Sequence, residues 1–160
     1  MNEEQRLEAE CILQRGRRFD RRIPAVLLRS PISRVGYWWG TAVGWLWGSL
    51  WSTGRVERRH GLWVFRGMPK WTFMRGGVCV GGCFLTGDAE PSEDVLRHES
   101  VHKQQWLRYG FLTPVLYLFA GRDPLRNRFE IEAGLEDGGY VRRSTSGASR
   151  RATGQRMGRP

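Results

Sequence analysis

Cysteine is scarce in this chain: Cys11, Cys79 and Cys83 are its only thiols in 160 residues. An odd, widely spaced set excludes a disulfide-built scaffold. Three thiolates also fall short of the four that an iron–sulfur cluster takes. Cys79 and Cys83 sit in a C-V-G-G-C segment. On one continuous strand their Cα atoms would lie about 13 Å apart, too far to share a metal or a bond; a turn at Gly81-Gly82 would bring them closer. Acid is missing from one whole region. Residues 141–160 carry six arginines (Arg142, Arg143, Arg150, Arg151, Arg156 and Arg159) and no Asp or Glu, so the first 140 residues hold only +4 of the formal +10. The opening segment MNEEQRLEAE is charged and has no apolar core. That pattern is not a secretory signal, and the expectation is a cytoplasmic or membrane-associated protein.

What is present divides into four stretches. Hydrophobic residues make up 40% of the chain, enough for one modest core. Residues 1–34 read as a charged helix and linker, with Leu7, Cys11 and Leu13 as a thin apolar stripe and Arg15, Arg17 and Arg18 as a solvated basic face. Residues 35–54 run without a charge between Arg34 and Arg55, with Gly36, Gly40, Gly44 and Gly48 every fourth residue and tryptophans between them. On a helix those glycines form a flat stripe that another backbone can approach, and the indoles favour a membrane interface. Membrane contact, spanning or lying in the interface, and packing on the neighbouring domain with Trp as core filler are the two readings of this stretch. Residues 55–141 are expected to form the folded domain. Short strands at Val56–Arg58 and Leu62–Phe65 flank a hairpin turn at His60-Gly61, and Trp71–Met74 and Val78–Leu85 follow, broken by glycine pairs. Residues 142–160 are expected to be a disordered arginine-rich tail.

Residues 92–109 carry the clearest helix signals: Ser92 as N-cap, Glu93 and Asp94 in the first turn, and Gly110 as the stop. On it lies Arg97-His98-Glu99-Ser100-Val101-His102, an H-E-x-x-H motif holding two of the chain's three histidines. Residues four apart share one face, so both imidazoles reach a single Zn²⁺, and Glu99 on the rim is placed to take a proton from water. A helix or turn over 111–120 follows, and a third helix is expected at about 125–141. That helix offers a third ligand from Glu130 or Glu132. They point about 200° apart, so at most one faces the metal. Glu130 borders the apolar positions Phe129 and Ala133, the side on which a carboxylate needs a cation.

His98-Glu99-Ser100-Val101-His102, then Gln105, then Glu130-Ile131-Glu132-Ala133, resembles the gluzincin group of zinc metallopeptidases, and more narrowly small bacterial H-E-x-x-H proteins with a following E-x-E-A segment. The likeness covers roughly residues 76–140. It implies His98, His102 and a later glutamate as zinc ligands and Glu99 as general base. In the subgroup with an E-x-x-A-D segment the first glutamate is the ligand, which falls on Glu130; the alternative alignment uses Glu132 with Glu136 in support. The chain departs from that segment at Gly134, where the family carries an aspartate that supports a histidine.

The expected fold is α+β: a minimal zincin-like domain, with a small twisted sheet packed on the motif helix and a glutamate-bearing helix behind it, preceded by an N-terminal helical segment. The expected function is a zinc-dependent metallopeptidase acting on a peptide or protein substrate. Tyr140 or Arg128 is the candidate donor to the oxyanion, and Val78–Leu85 the candidate strand to hold substrate. A non-catalytic, membrane-tethered metal-binding protein of the same fold is the first alternative. The second is weak binding of nucleic acid or acidic lipid by the tail, which carries no specific nucleic-acid motif.

Overall fold

A computed structural model of the chain describes residues 1, 3–72 and 76–142. The helices are α1 (Glu3–Asp20), α2 (Pro31–Trp51), α3 (Glu93–Tyr109), α4 (Leu112–Phe119) and α5 (Arg128–Ala133). Between α2 and α3 lie four strands, β1 (Glu57–Arg59), β2 (Leu62–Phe65), β3 (Gly77–Val80) and β4 (Cys83–Thr86). The described residues are thus α+β, as the sequence led us to expect. The arginine-rich segment from 143 onward, with its expected disorder and anionic partners, lies outside them.

The sheet runs β1-β2-β4-β3, with a parallel β2–β4 pair joining two antiparallel hairpins. His60 and Gly61 both take positive φ (50° and 72°), which suits the two-residue turn between Arg59 and Leu62. The segment Val78–Leu85, expected to be interrupted at Gly81-Gly82, is a hairpin folded at that pair. Gly81 has φ +60°, and a Cβ there would meet the Thr41 backbone N at 2.2 Å. Thr41 Oγ1 then accepts the Gly82 N–H (2.9 Å), so α2 holds the turn. Trp71–Met74 was expected as strand, but Lys70–Thr72 forms a 3-10 turn and residues 73–75 lie outside the described set.

Alternation along the strands buries both faces of this sheet. Leu62, Val64 and Phe84 pack with Leu96 and Trp106 of α3. Phe65, Cys83 and Leu85 turn the other way with Met68. Each large side chain fully removed from water contributes about 1.5–3 kcal/mol. Helix α2 covers that second group along its glycines: an added Cβ at Gly44 would sit 2.9 Å from Cys83 Cβ, and one at Gly48 only 2.5 Å from the Phe65 ring.

Helix α2 begins at residue 31, before the expected 35, because Ser30 and Ser33 form a reciprocal capping box and Pro31 opens the first turn. Most of its tryptophans are not core filler, although Trp45 packs edge-on against buried Phe65 (5.0 Å). Trp38, Trp39, Trp45, Trp47 and Trp51 are all exposed while the glycines face inward. No helix among the described residues, α2 included, is long and apolar enough to cross a membrane. Four glycines and few branched aliphatics keep its hydropathy too low.

Helix α1 is held at its end by buried Asp20, which accepts from Tyr109 Oη (2.6 Å), Arg108 (3.0 Å) and Arg128 (2.8 Å). Arg15, Arg17 and Arg18 remain exposed. The third helix is shorter than expected: α5 stops at Ala133 because Gly134 turns to φ +98°. The chain then coils back, with Tyr140 N–H donating to Leu135 O (2.9 Å).

Candidate metal centre

Three elements converge on one small volume. Helix α3 is started by Ser92, whose hydroxyl accepts the Val95 N–H (3.3 Å), and it turns His98, Glu99 and Gln105 inward among its apolar positions. Helix α5 is started by Asn127, whose side chain accepts the Phe129 N–H (2.9 Å) and donates to Tyr117 O and Gly121 O, anchoring α5 to α4. Glu130, one turn in, is carried against the two histidines.

His98, His102 and Glu130 offer ligand atoms all within 4.8 Å of one another. His98 Nε2 lies 3.1 Å from Glu130 Oε2 and 3.1 Å from His102 Nε2, and His102 Nε2 lies 3.5 Å from Glu130 Oε1. A tetrahedral ion with bonds of about 2.0–2.1 Å separates its ligands by about 3.3 Å. The three measured distances bracket that value, so the cluster has the size of a metal site.

The hydrogen bonds behind the ligands set their protonation. His98 Nδ1–H donates to the Gly134 carbonyl (3.0 Å), leaving Nε2 as a lone pair toward the centre. His102 is oriented by a longer chain. Gln105 donates its amide to Phe129 O (3.0 Å) and Glu132 Oε2 (3.1 Å), so its oxygen faces His102 Nδ1 (2.8 Å) and holds the proton there. Two Nε2 lone pairs facing each other at 3.1 Å repel unless a cation or proton lies between them. This is the observation that the residues fit a bound ion.

Glu130 is 3% exposed. Burial pushes its carboxyl up, but contact with His102 and His98 in their protonated forms, with a hydrogen bond from Tyr117 Oη, holds it well below the ordinary carboxylate range. The Tyr117 phenol is driven up by burial and by that charged acceptor. Burial opposes protonation of His102, and the carboxylates of Glu130 and Glu99 outweigh it, so the net shift is upward. Glu99 is 8% exposed, and its Oε2 has no hydrogen-bond partner among the described residues. Burial and the Glu130 charge raise its proton affinity, against the lowering influence of the two histidines.

The structure therefore brings His98, His102 and Glu130 together, with buried Glu99 electrostatically coupled to all three, and turns the other candidates to different tasks. Glu132 is exposed and engages Gln105 rather than the centre. Tyr140 lies beside it, its ring edge-on to His98 at 5.9 Å. Arg128 is committed elsewhere, to Gly16 O and Asp20, with its guanidinium 4.6 Å from the Phe129 ring. On the outer edge of β3 the Cys79 carbonyl accepts the Trp106 indole N–H (3.1 Å). Cys79 and Cys83 are buried free thiols on neighbouring strands and take no part in the cluster.

Tyr117 and the roles of Gln105 and Glu132 were not foreseen. Gln105 could have been suspected, since it lies three residues beyond His102 on one helix face. Tyr117 had no signal, because its place depends on how α4 packs. Two of the surface clefts, a groove of about 860 Å³ between α1 and α4 and a hollow of about 340 Å³ beside Gln105, contain none of the three ligands. Comparisons with protein-family models, curated proteins and solved structures find no match to this chain.

Proposed function

We propose that the His98–His102–Glu130 cluster holds zinc and that the protein is a zinc-dependent peptidase with Glu99 as general base. The observation that carries this is a ligand set of tetrahedral size beside a buried carboxylate oxygen that nothing else engages. Two histidines and one carboxylate are also a ligand set found in catalytic zinc sites, which keep a fourth position open.

Bound there, zinc supplies a Lewis acid that polarises a carbonyl and makes water acidic near neutral pH. The protein's own groups do the rest. Glu99 Oε2 accepts the proton of the attacking water and returns it to the leaving amine. Gly134 and Gln105 keep both imidazoles in the tautomer that presents Nε2. Tyr140, edge-on to His98, is the candidate donor to the developing oxyanion. A peptide as substrate rests on the resemblance to gluzincins.

Metal analysis beside a peptide-library assay tests this reading. Wild type should carry one zinc per chain and cleave peptide. The double variant His98→Ala/His102→Ala should lose the zinc. Glu99→Gln should keep it while turnover falls about 10²–10⁴-fold. Full activity in Glu99→Gln would remove Glu99 from the chemistry, and a wild type without zinc would remove the site. The near-complete burial of His98 and Glu130 favours a second reading, a metal-binding domain without turnover. Stoichiometric zinc with no cleavage of any peptide decides for it.

A further inference from the structure

Helix α2 presents to solvent the side chains a helix ordinarily hides. Trp38, Leu46 and Leu50 are 65%, 65% and 64% exposed, and Trp39, Trp47 and Trp51 stand beside them. The surface continues onto neighbours: Trp71 packs edge-on against Trp51 (5.0 Å) and Trp47 (6.5 Å), and Phe111 lies 5.7 Å from Trp39. An apolar face of this length is not an ordinary property of a soluble surface and marks a binding site.

Along the chain, the charge on and beside this helix is of one sign. From Arg21 to Val56 the chain holds Arg21, Arg22, Arg29, Arg34 and Arg55 and no Asp or Glu. Arg34 opens the exposed face and Arg55 closes it. The opposite, glycine side of α2 is fastened along its whole length. Added Cβ atoms would strike Phe111 N at 2.3 Å from Gly36 and the Trp106 ring at 2.8 Å from Gly40, with Cys83 and Phe65 next in line. A helix fastened in that way cannot leave the domain to thread a bilayer. It can lie along one.

We propose that the outer face of α2, extended by Trp71 and Phe111, seats the domain on an anionic lipid surface, with the helix parallel to the membrane plane. Indole suits the headgroup boundary, where its ring is dehydrated and its N–H remains paired. The aliphatic side chains enter the acyl region, and the arginines at either end meet lipid phosphates. A second copy of the chain fits less well. In a two-fold pairing of these faces arginine would meet arginine, with no acid along the helix to separate them. The proposal does not depend on the metal centre or on turnover.

The test uses the full chain and vesicles of phosphatidylcholine with or without about 30% phosphatidylglycerol, some carrying bromine on the acyl chains. Binding should be at least about tenfold tighter with phosphatidylglycerol, and brominated lipid should quench the tryptophan fluorescence. The variant Leu46→Gln/Leu50→Gln, altered only at exposed positions, should keep the wild-type melting temperature, lose at least tenfold in binding and lose the quenching. Three results would overturn the proposal. One is binding unchanged in that variant and without quenching, which assigns lipid contact to the arginine-rich segment. Another is no binding to either vesicle. The third is a wild-type dimer in sedimentation equilibrium that the variant dissolves, which makes the face a contact between copies.

Discussion

Helices α2 and α3 pack against each other, and each reverses the usual rule of apolar in, polar out. Helix α2 buries glycines with Ser33, Tyr37 and Thr41, and exposes tryptophan and leucine. Helix α3 buries His98, Glu99 and Gln105 beside Leu96 and Trp106. The difference lies in how the buried polar atoms are satisfied. On α2 they are spent on the fold: Ser33 Oγ donates to Leu107 O (3.0 Å) and Thr41 Oγ1 to its own helix at Tyr37 O (2.8 Å). On α3 His98 meets Glu130, Gln105 bonds to Phe129 O, Glu132 and His102, and one atom, Glu99 Oε2, is left without a partner among the described residues. Inversion with every group satisfied is architecture; inversion with an orphaned carboxylate marks a candidate site.

The largest break in this comparison should come from the glycine seam. Replacing a helical glycine by alanine stabilises an open helix by about 1 kcal/mol. At Gly36, however, the new Cβ would lie 2.3 Å from the Phe111 backbone N and 2.8 Å from Gly110 C, atoms that cannot rotate away. Overpacking of about 1–3 kcal/mol or more then wins. Denaturant melts should show Gly36→Ala clearly destabilised and Leu50→Ala, on the exposed face, within about 0.5 kcal/mol of wild type. Equal effects would mean that the two faces of α2 are not as different as their packing implies.

A smaller effect sharpens the α3 side. Gln105→Ala removes the group that holds the His102 proton at Nδ1, without touching a ligand atom. Zinc affinity, read by competition with a chromophoric chelator, should fall about 10–100-fold. An unchanged affinity would detach Gln105 and Glu132 from the centre. Glu132→Gln keeps an oxygen to accept from Gln105 and should lose less.

The smallest expected signal is in the thiols. Burial drives Cys83 up to about 12 and Cys79 well above its ordinary value, while Cys11 is exposed. Thiolate is the reactive form. At pH 8 native protein should therefore react at one cysteine with a thiol reagent, and at three after unfolding. Two or more fast thiols in the native state would show the sheet to be open where it is drawn as closed.

The motif helix was legible because its signals are local: a serine cap, acids in the first turn, a glycine stop and a four-residue spacing that places two imidazoles together. Helix α2 was legible as a glycine stripe, but which side the tryptophans would face was not. Periodicity names a face without naming its neighbour. The same holds for Val78–Leu85, where a glycine pair allows either a bulge or a reversal, and contact with Thr41 selects the reversal. The short α5 was missed because Gly134 ends it, although its carbonyl, which also accepts the Gly138 N–H (3.0 Å), is what holds the His98 ring.

Chain order alone thus put His98 and His102 on one helix face, since one helical turn fixes their spacing, and it narrowed the third member of the cluster to two glutamates. Only the tertiary structure separated Glu130 from Glu132 and drew Tyr117, Gln105 and the Gly134 carbonyl into one network. Positions within a helix follow from a fixed rise and rotation. Positions between helices follow from which surfaces exclude water together, and that is decided by the whole chain.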